Sequence, residues 1–162
     1  MVAVSLHRPV GSDHQLARLL QIGVVLEEVV EARAEKHAQM TDELDPAVSE
    51  LLEHASAESA DHRRELEALI ATLEAETVPF DEIKRLVEAQ YEADEEFDGI
   101  LYDQLCNEET AYKFYDDLIG AIEASETEFS IDRERLLSTL ERIREEEAEG
   151  AEDVTQLMES RE

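Results

Sequence analysis

The sequence predicts an all-α protein, four long helices in one bundle with a crossover segment between the second and third. Three observations carry this expectation. Apolar residues recur at helical spacing through most of the 162 residues, and at 43% of the chain they suffice for one core. Proline and glycine punctuate that pattern at Pro9, Gly11, Pro46, Pro79 and Gly99. The run Leu51–Leu69 is also echoed by Thr139–Leu157. Laid together without gaps, Leu52, Glu53, Glu58, Ala60 and Leu69 recur as Leu140, Glu141, Glu146, Ala148 and Leu157, and Asp61 recurs as the acid Glu149. Such an echo describes two helical hairpins of one kind.

Taken in order, residues 1–12 read as an N-terminal arm and residues 13–162 as a single bundle domain. Ser12 and Asp13 are candidates to cap the first helix, Asp13 to Met40. Leu16, Leu19, Leu20, Gly23, Val30 and Ala34 share one side of it. Glu27 falls within that side, Glu31 lies at its margin, and Glu28 and Glu35 point to water. Thr41 to Leu44 make a turn, and Asp45-Pro46 supplies an N-cap followed by proline at the first helical position. The second helix must stop before Pro79, because the residue preceding a proline resists helical geometry.

From Asp81 to Ser125 the apolar stripe keeps nearly unbroken phase, with Glu108 at its centre. One continuous helix there would span roughly 66 Å, about twice what a small bundle needs. A break is therefore expected near Gly99, giving a crossover helix from Asp81 to Asp98 and a third helix from Ile100 to Ser125. Unbroken phase would instead favour a swapped dimer. Ser130 is the expected cap of the fourth helix, Ile131 to Glu159.

Composition excludes several function classes. Forty-three acids against fourteen Lys and Arg give a net charge of −29, and phosphate binding needs clustered cations, so nucleic acid is not expected as a partner. No run approaches eighteen uninterrupted apolar residues, so no membrane span is expected, and the N-terminus has no signal-peptide pattern. The single cysteine, Cys106, excludes an internal disulfide and suits a reducing compartment. A cytoplasmic protein is the resulting expectation. Few lysines and abundant acids resemble the proteome style of salt-in halophiles, haloarchaea especially. No phosphate loop, paired CxxC or Ser/His/Asp order is present, so any chemistry falls to carboxylates and histidine.

At about 100° per residue, helical phase turns Glu27, Ser59, His62, Glu108 and Glu147 toward the core. A carboxylate or imidazole in a core face costs desolvation and normally implies a partner, often a metal. This order, with DPAVSELLEHASAESADHRREL and NEETAYKFYDDL as local text, resembles the ferritin-like superfamily, its rubrerythrin and bacterioferritin branches in particular. The resemblance covers Leu16 to Met158. It implies a di-iron bundle built from a Glu on each of two helices and a Glu-x-x-His on each of the other two.

Carried over, Glu27, His62, Glu108 and Glu147 are the expected metal ligands, while Ser59 replaces one motif glutamate and Gly150 one motif histidine. The pair Ser59→Glu and Gly150→His is then expected to restore six ligands. Such a donor set suits iron, with manganese or zinc as alternatives, as one ion or a weak pair. The resemblance implies ferroxidase or peroxide-reducing activity and a homodimer or higher homo-oligomer. The alternative is a metal-free degenerate scaffold that acts as an interaction or structural protein. In that case His62 is a core histidine, Arg33, Tyr112 or Tyr115 cap Glu27 and Glu108, and His37 and His54 have no role.

Overall fold

Local capping chemistry sets the helix boundaries. The computed structural model describes residues 9–40, 45–77, 79, 81, 85 and 99–160, and its four long helices are α1 (Asp13–Met40), α2 (Pro46–Thr72), α3 (Ile100–Glu123) and α4 (Arg133–Glu159). The Asp45 side chain accepts from the Ala47 backbone N–H, with Pro46 at the first turn. Gly99 takes φ 126°, a conformation that favours glycine, and it caps α3. The expected break at Gly99 is therefore present. The expected crossover helix, Asp81–Asp98, lies outside the described residues but for Asp81 and Arg85, which are helical.

Two ends differ from expectation. Asp132 caps α4 by accepting from the Arg135 N–H, and Ser130 serves elsewhere. Its hydroxyl accepts from the Glu74 N–H at 2.8 Å, and its own N–H donates to Asp13 at 3.0 Å. Ser130 thus ties the α3–α4 loop to the start of α1 and the end of α2. Helix α3 stops at Glu123, where Arg133 donates to the carbonyls of Ile122 and Ser125 and satisfies orphan acceptors. Val10 is buried and is held by Ala121 and Ser125.

Side-chain pairs give the directions of the helices. Glu31 meets Arg63 and Glu35 meets Ser56, so α1 and α2 are antiparallel. Tyr115 meets Glu27 and Asp103 meets Arg33, so α1 and α3 are antiparallel as well. Helices α2 and α3 therefore run the same way, and residues 73–99 must connect opposite ends of the bundle. The fold is an all-α four-helix bundle with that crossover connection.

A large apolar cluster fills one part of the interior, with Leu20, Val24, Leu66, Leu118, Ile122, Leu140 and Ile143 among its members. A smaller one, Ala34, Val48 and Leu52 with Leu101 and Leu157 against it, fills another. Between them along the helices lies a belt of buried polar side chains: Glu27, Ser59, His62, Asn107, Glu108 and Glu147. Among the described residues no helix is long and apolar enough to cross a membrane.

Candidate metal centre

Each of the four helices contributes one side chain to the belt's centre. Glu27 (0% exposed), His62 (1%), Glu108 (4%) and Glu147 (3%) are all buried, a costly arrangement for ionisable groups without partners. His62 Nδ1 lies 3.0 Å from Glu147 Oε1 and 3.4 Å from Glu27 Oε1. Its other nitrogen, Nε2, lies 3.1 Å from Glu146 Oε2. Tyr115 donates its hydroxyl to Glu27 Oε1 at 2.7 Å, and the Gln104 amide donates to Glu108 Oε1 at 2.9 Å. Among the described residues no donor other than a protonated neighbouring carboxyl is placed for the buried second oxygens of Glu27 and Glu108.

These side chains form two ligand groups. Glu27, His62 and Glu147 converge in one, and Glu58, Glu108 and Glu147 in the other, with the donor atoms of each within 4.8 Å of one another. Glu147 belongs to both. The structure thus brings together all four residues singled out from the sequence and adds Glu58. Ser59 is buried beside them but carries no carboxylate. Helical phase explains the exchange: Glu58 lies about 40° from His62 around the helix and Ser59 about 60°, so the residue one turn before the histidine has equal claim to the interior.

Gly150 leaves room for a carboxylate from the neighbouring helix. A Cβ at that position would lie 2.6 Å from Glu108 Oε2 and 2.7 Å from Glu108 Cδ, closer than real contacts allow. The glycine clears the space that the Glu108 carboxylate fills. An imidazole introduced by Gly150→His would have to share this space with the Glu108 carboxylate, which would need to swing aside. A glycine inside an otherwise strongly helical, acidic segment was the signal, since it costs roughly 0.5–1 kcal/mol unless something must approach the backbone.

Electrostatics follow from burial. Desolvation lifts the Glu147 carboxyl well above the ordinary carboxylate range, and Glu27 and Glu108 push it further. Burial raises Glu108 as well, and lifts Glu58 to about 7. Burial alone would lower the His62 pKa, but the hydrogen bonds and charges of Glu27, Glu146 and Glu58 outweigh it and raise His62 to about 9. The cluster therefore binds protons more tightly than free carboxyl and imidazole groups do. Burial and Glu27 keep Tyr115 a neutral donor.

No family model matches the chain, and no curated protein or solved structure gives a significant match.

The case for a metal centre accordingly stands on geometry. Hard oxygen donors with one imidazole, the buried second oxygens of Glu27 and Glu108, and two groups sharing a carboxylate fit a divalent ion such as Fe(II), Mn(II) or Zn(II). His62 would have to release its proton for Nδ1 to ligate. Glu146 would then accept the Nε2–H, fixing the tautomer that leaves Nδ1 free for the metal.

Three further expectations are corrected. Arg33 does not cap a cluster carboxylate: it pairs with the fully buried Asp103 at 2.6 Å. Tyr112 is exposed, whereas Tyr115 donates to Glu27 as expected and Gln104 donates to Glu108. His37, given no role from the sequence, contacts Asp103 at 2.5 Å.

Proposed function

We propose that the chain is a ferritin-like protein that holds two divalent metal ions, iron foremost, between Glu27, Glu58, His62, Glu108 and Glu147, and that it oxidises Fe(II) with peroxide or O2. The observation that carries this reading is the membership of Glu147 in both ligand groups. A carboxylate shared between two ions holds them close enough to act together on one small oxidant. With hydrogen peroxide the balance is two Fe(II), one peroxide and two protons giving two Fe(III) and two waters.

The residues support parts of that chemistry. Tyr115 fixes Glu27 and Gln104 fixes Glu108, so both carboxylates are oriented before a metal arrives. Ionised neighbours and the protons on Glu58 and His62 give the site both charge and exchangeable protons. Stopped-flow oxidation of Fe(II) by peroxide, in wild type and Glu147→Ala, tests the activity. We expect wild type to accelerate oxidation over buffer and the variant to lose most of that acceleration. Equal rates for protein and buffer would overturn the oxidase reading.

The rival reading, a metal-free scaffold, is favoured by the same His62 contacts, because a protonated imidazole between Glu27 and Glu147 already offsets part of the buried charge. It predicts no metal retained at the cluster under any loading.

A further inference from the structure

The buried centre needs a way in. A groove of about 510 Å³ opens between α2 and α4, and its lining includes Glu58, Asp61, His62, Glu65, Arg142 and Glu146. Glu58 and His62 belong one to each ligand group, so the groove floor touches both halves of the centre. On other sides the fully buried Tyr115 lies against Glu27, and the α4 backbone at Gly150 lies against the Glu108 carboxylate. Beyond the floor lie the buried second oxygens of Glu27 and Glu108.

Two guanidiniums line the groove: Arg64 pairs with Asp61 on its own helix, and Arg142 bridges the two helices. Arg142 on α4 reaches Glu65 Oε2 on α2 at 2.6 Å and Glu146 Oε2 at 3.2 Å, and that same Glu146 oxygen is 3.1 Å from His62 Nε2. One cation thus holds the two carboxylates flanking the entrance and, through Glu146, reaches the outer edge of the ligating histidine.

We infer that this groove is the port by which a divalent cation reaches the centre, and that the Arg142 clasp is the latch that sets how fast it loads. The inference rests on the metal-centre reading. A hydrated dication entering here meets carboxylates on its way to a carboxylate-lined interior, and each can replace a water of its shell. Arg142 opposes that step twice, by its positive charge and by occupying Glu65 and Glu146. Its side chain is half exposed, and its contact with Glu146 is a surface pair, whereas the Glu65 Oε2 it meets is shielded from water; the latch opens by moving side chains alone. Contacts this short lie within the screening length of molar salt, so the latch operates there too.

Loading of the metal-free full chain with Co(II) tests the inference, because its visible spectrum changes as water is exchanged for protein ligands. Rate and final amplitude are read together. Arg142→Gln should load roughly fivefold faster than wild type, the effect of removing one ion-pair network from the barrier, and should reach the same amplitude. Ala57→Trp places a bulky ring at an exposed position in the groove wall; it should load at least several-fold more slowly, again to full amplitude. Full amplitude with an unchanged rate in Ala57→Trp would overturn the port and leave the centre standing. A slowed Ala57→Trp with an unchanged Arg142→Gln would overturn the latch. Absence of a Co(II) spectrum in wild type would overturn the metal centre and this inference with it.

Discussion

At the scale of single residues, Gly150 separates two properties that usually move together. Alanine there adds one methyl where the Glu108 carboxylate now lies, 2.6–2.9 Å from the new carbon. The atoms in the way are the end of a flexible side chain, so the fold can yield by swinging Glu108 aside, and the helix gains roughly 0.5–1 kcal/mol from losing an interior glycine. Gly150→Ala should therefore melt no lower than wild type without metal, yet bind Fe(II) or Mn(II) several-fold more weakly. Paired thermal melts and metal titrations check this. A variant with unchanged metal affinity would show that Glu108 is no ligand. Glu27, His62, Glu108 and Glu147 were legible because a charged residue in an apolar stripe is conspicuous at helical period. Glu58 and the purpose of Gly150 were obscured, because a phase angle specifies a direction and leaves open which of two adjacent side chains is long enough to arrive.

Among the elements, the joint between α1 and α3 rests on Asp103. It is fully buried on α3 and receives Arg33 and His37 from the last turns of α1. Burial acts to raise its pKa, but the bonds from His37 and Arg33 outweigh that and hold it below the ordinary carboxylate value. A depressed pKa contributes stability that is present above the unfolded value of about 3.9 and is lost as pH falls through the folded value. Asp103→Ala removes the buried carboxylate on which Arg33 and His37 converge and should cost about 3 kcal/mol, or roughly 6–12 °C in Tm for a chain of this size. Its stability should also fall less steeply than that of wild type as pH drops below about 4. Melts of both proteins across acid pH check the pair of outcomes. The four helices and the break at Gly99 could be read from proline, glycine and apolar phase. Asp103 could not, because its partners lie on a helix some seventy residues earlier and no local pattern announces a pairing at that distance. Ser130 misled for a related reason: a hydroxyl just before a helix looks like its cap, yet this one is committed to the first two helices.

For the whole molecule, charge sets the conditions under which the bundle and its centre exist. A net charge of −29 repels itself across about 30 Å at 10 mM salt but only about 3 Å at 1 M. Helicity and Tm should fall together on dilution of salt, as circular dichroism across a salt series would show. In constant high salt the metal-free protein should lose stability as pH rises. Glu58, at about 7, and His62, at about 9, both bind protons more tightly folded than unfolded. Their contribution is therefore present below the unfolded values and is lost as pH climbs through 7 and 9. Metal should reverse that trend, because deprotonated ligands bind it and pH then favours the complex. Melts from pH 6 to 9, with chelator and with Mn(II), should diverge most at the alkaline end. The central claim is that one buried carboxylate serves two ions. Its most direct test is the number of Fe(II) ions retained per chain after anaerobic loading and dialysis in molar salt, in wild type and in Glu147→Gln. The account predicts two in wild type and at most one in the variant. Retention of none by wild type, or the same number by both proteins, would contradict it.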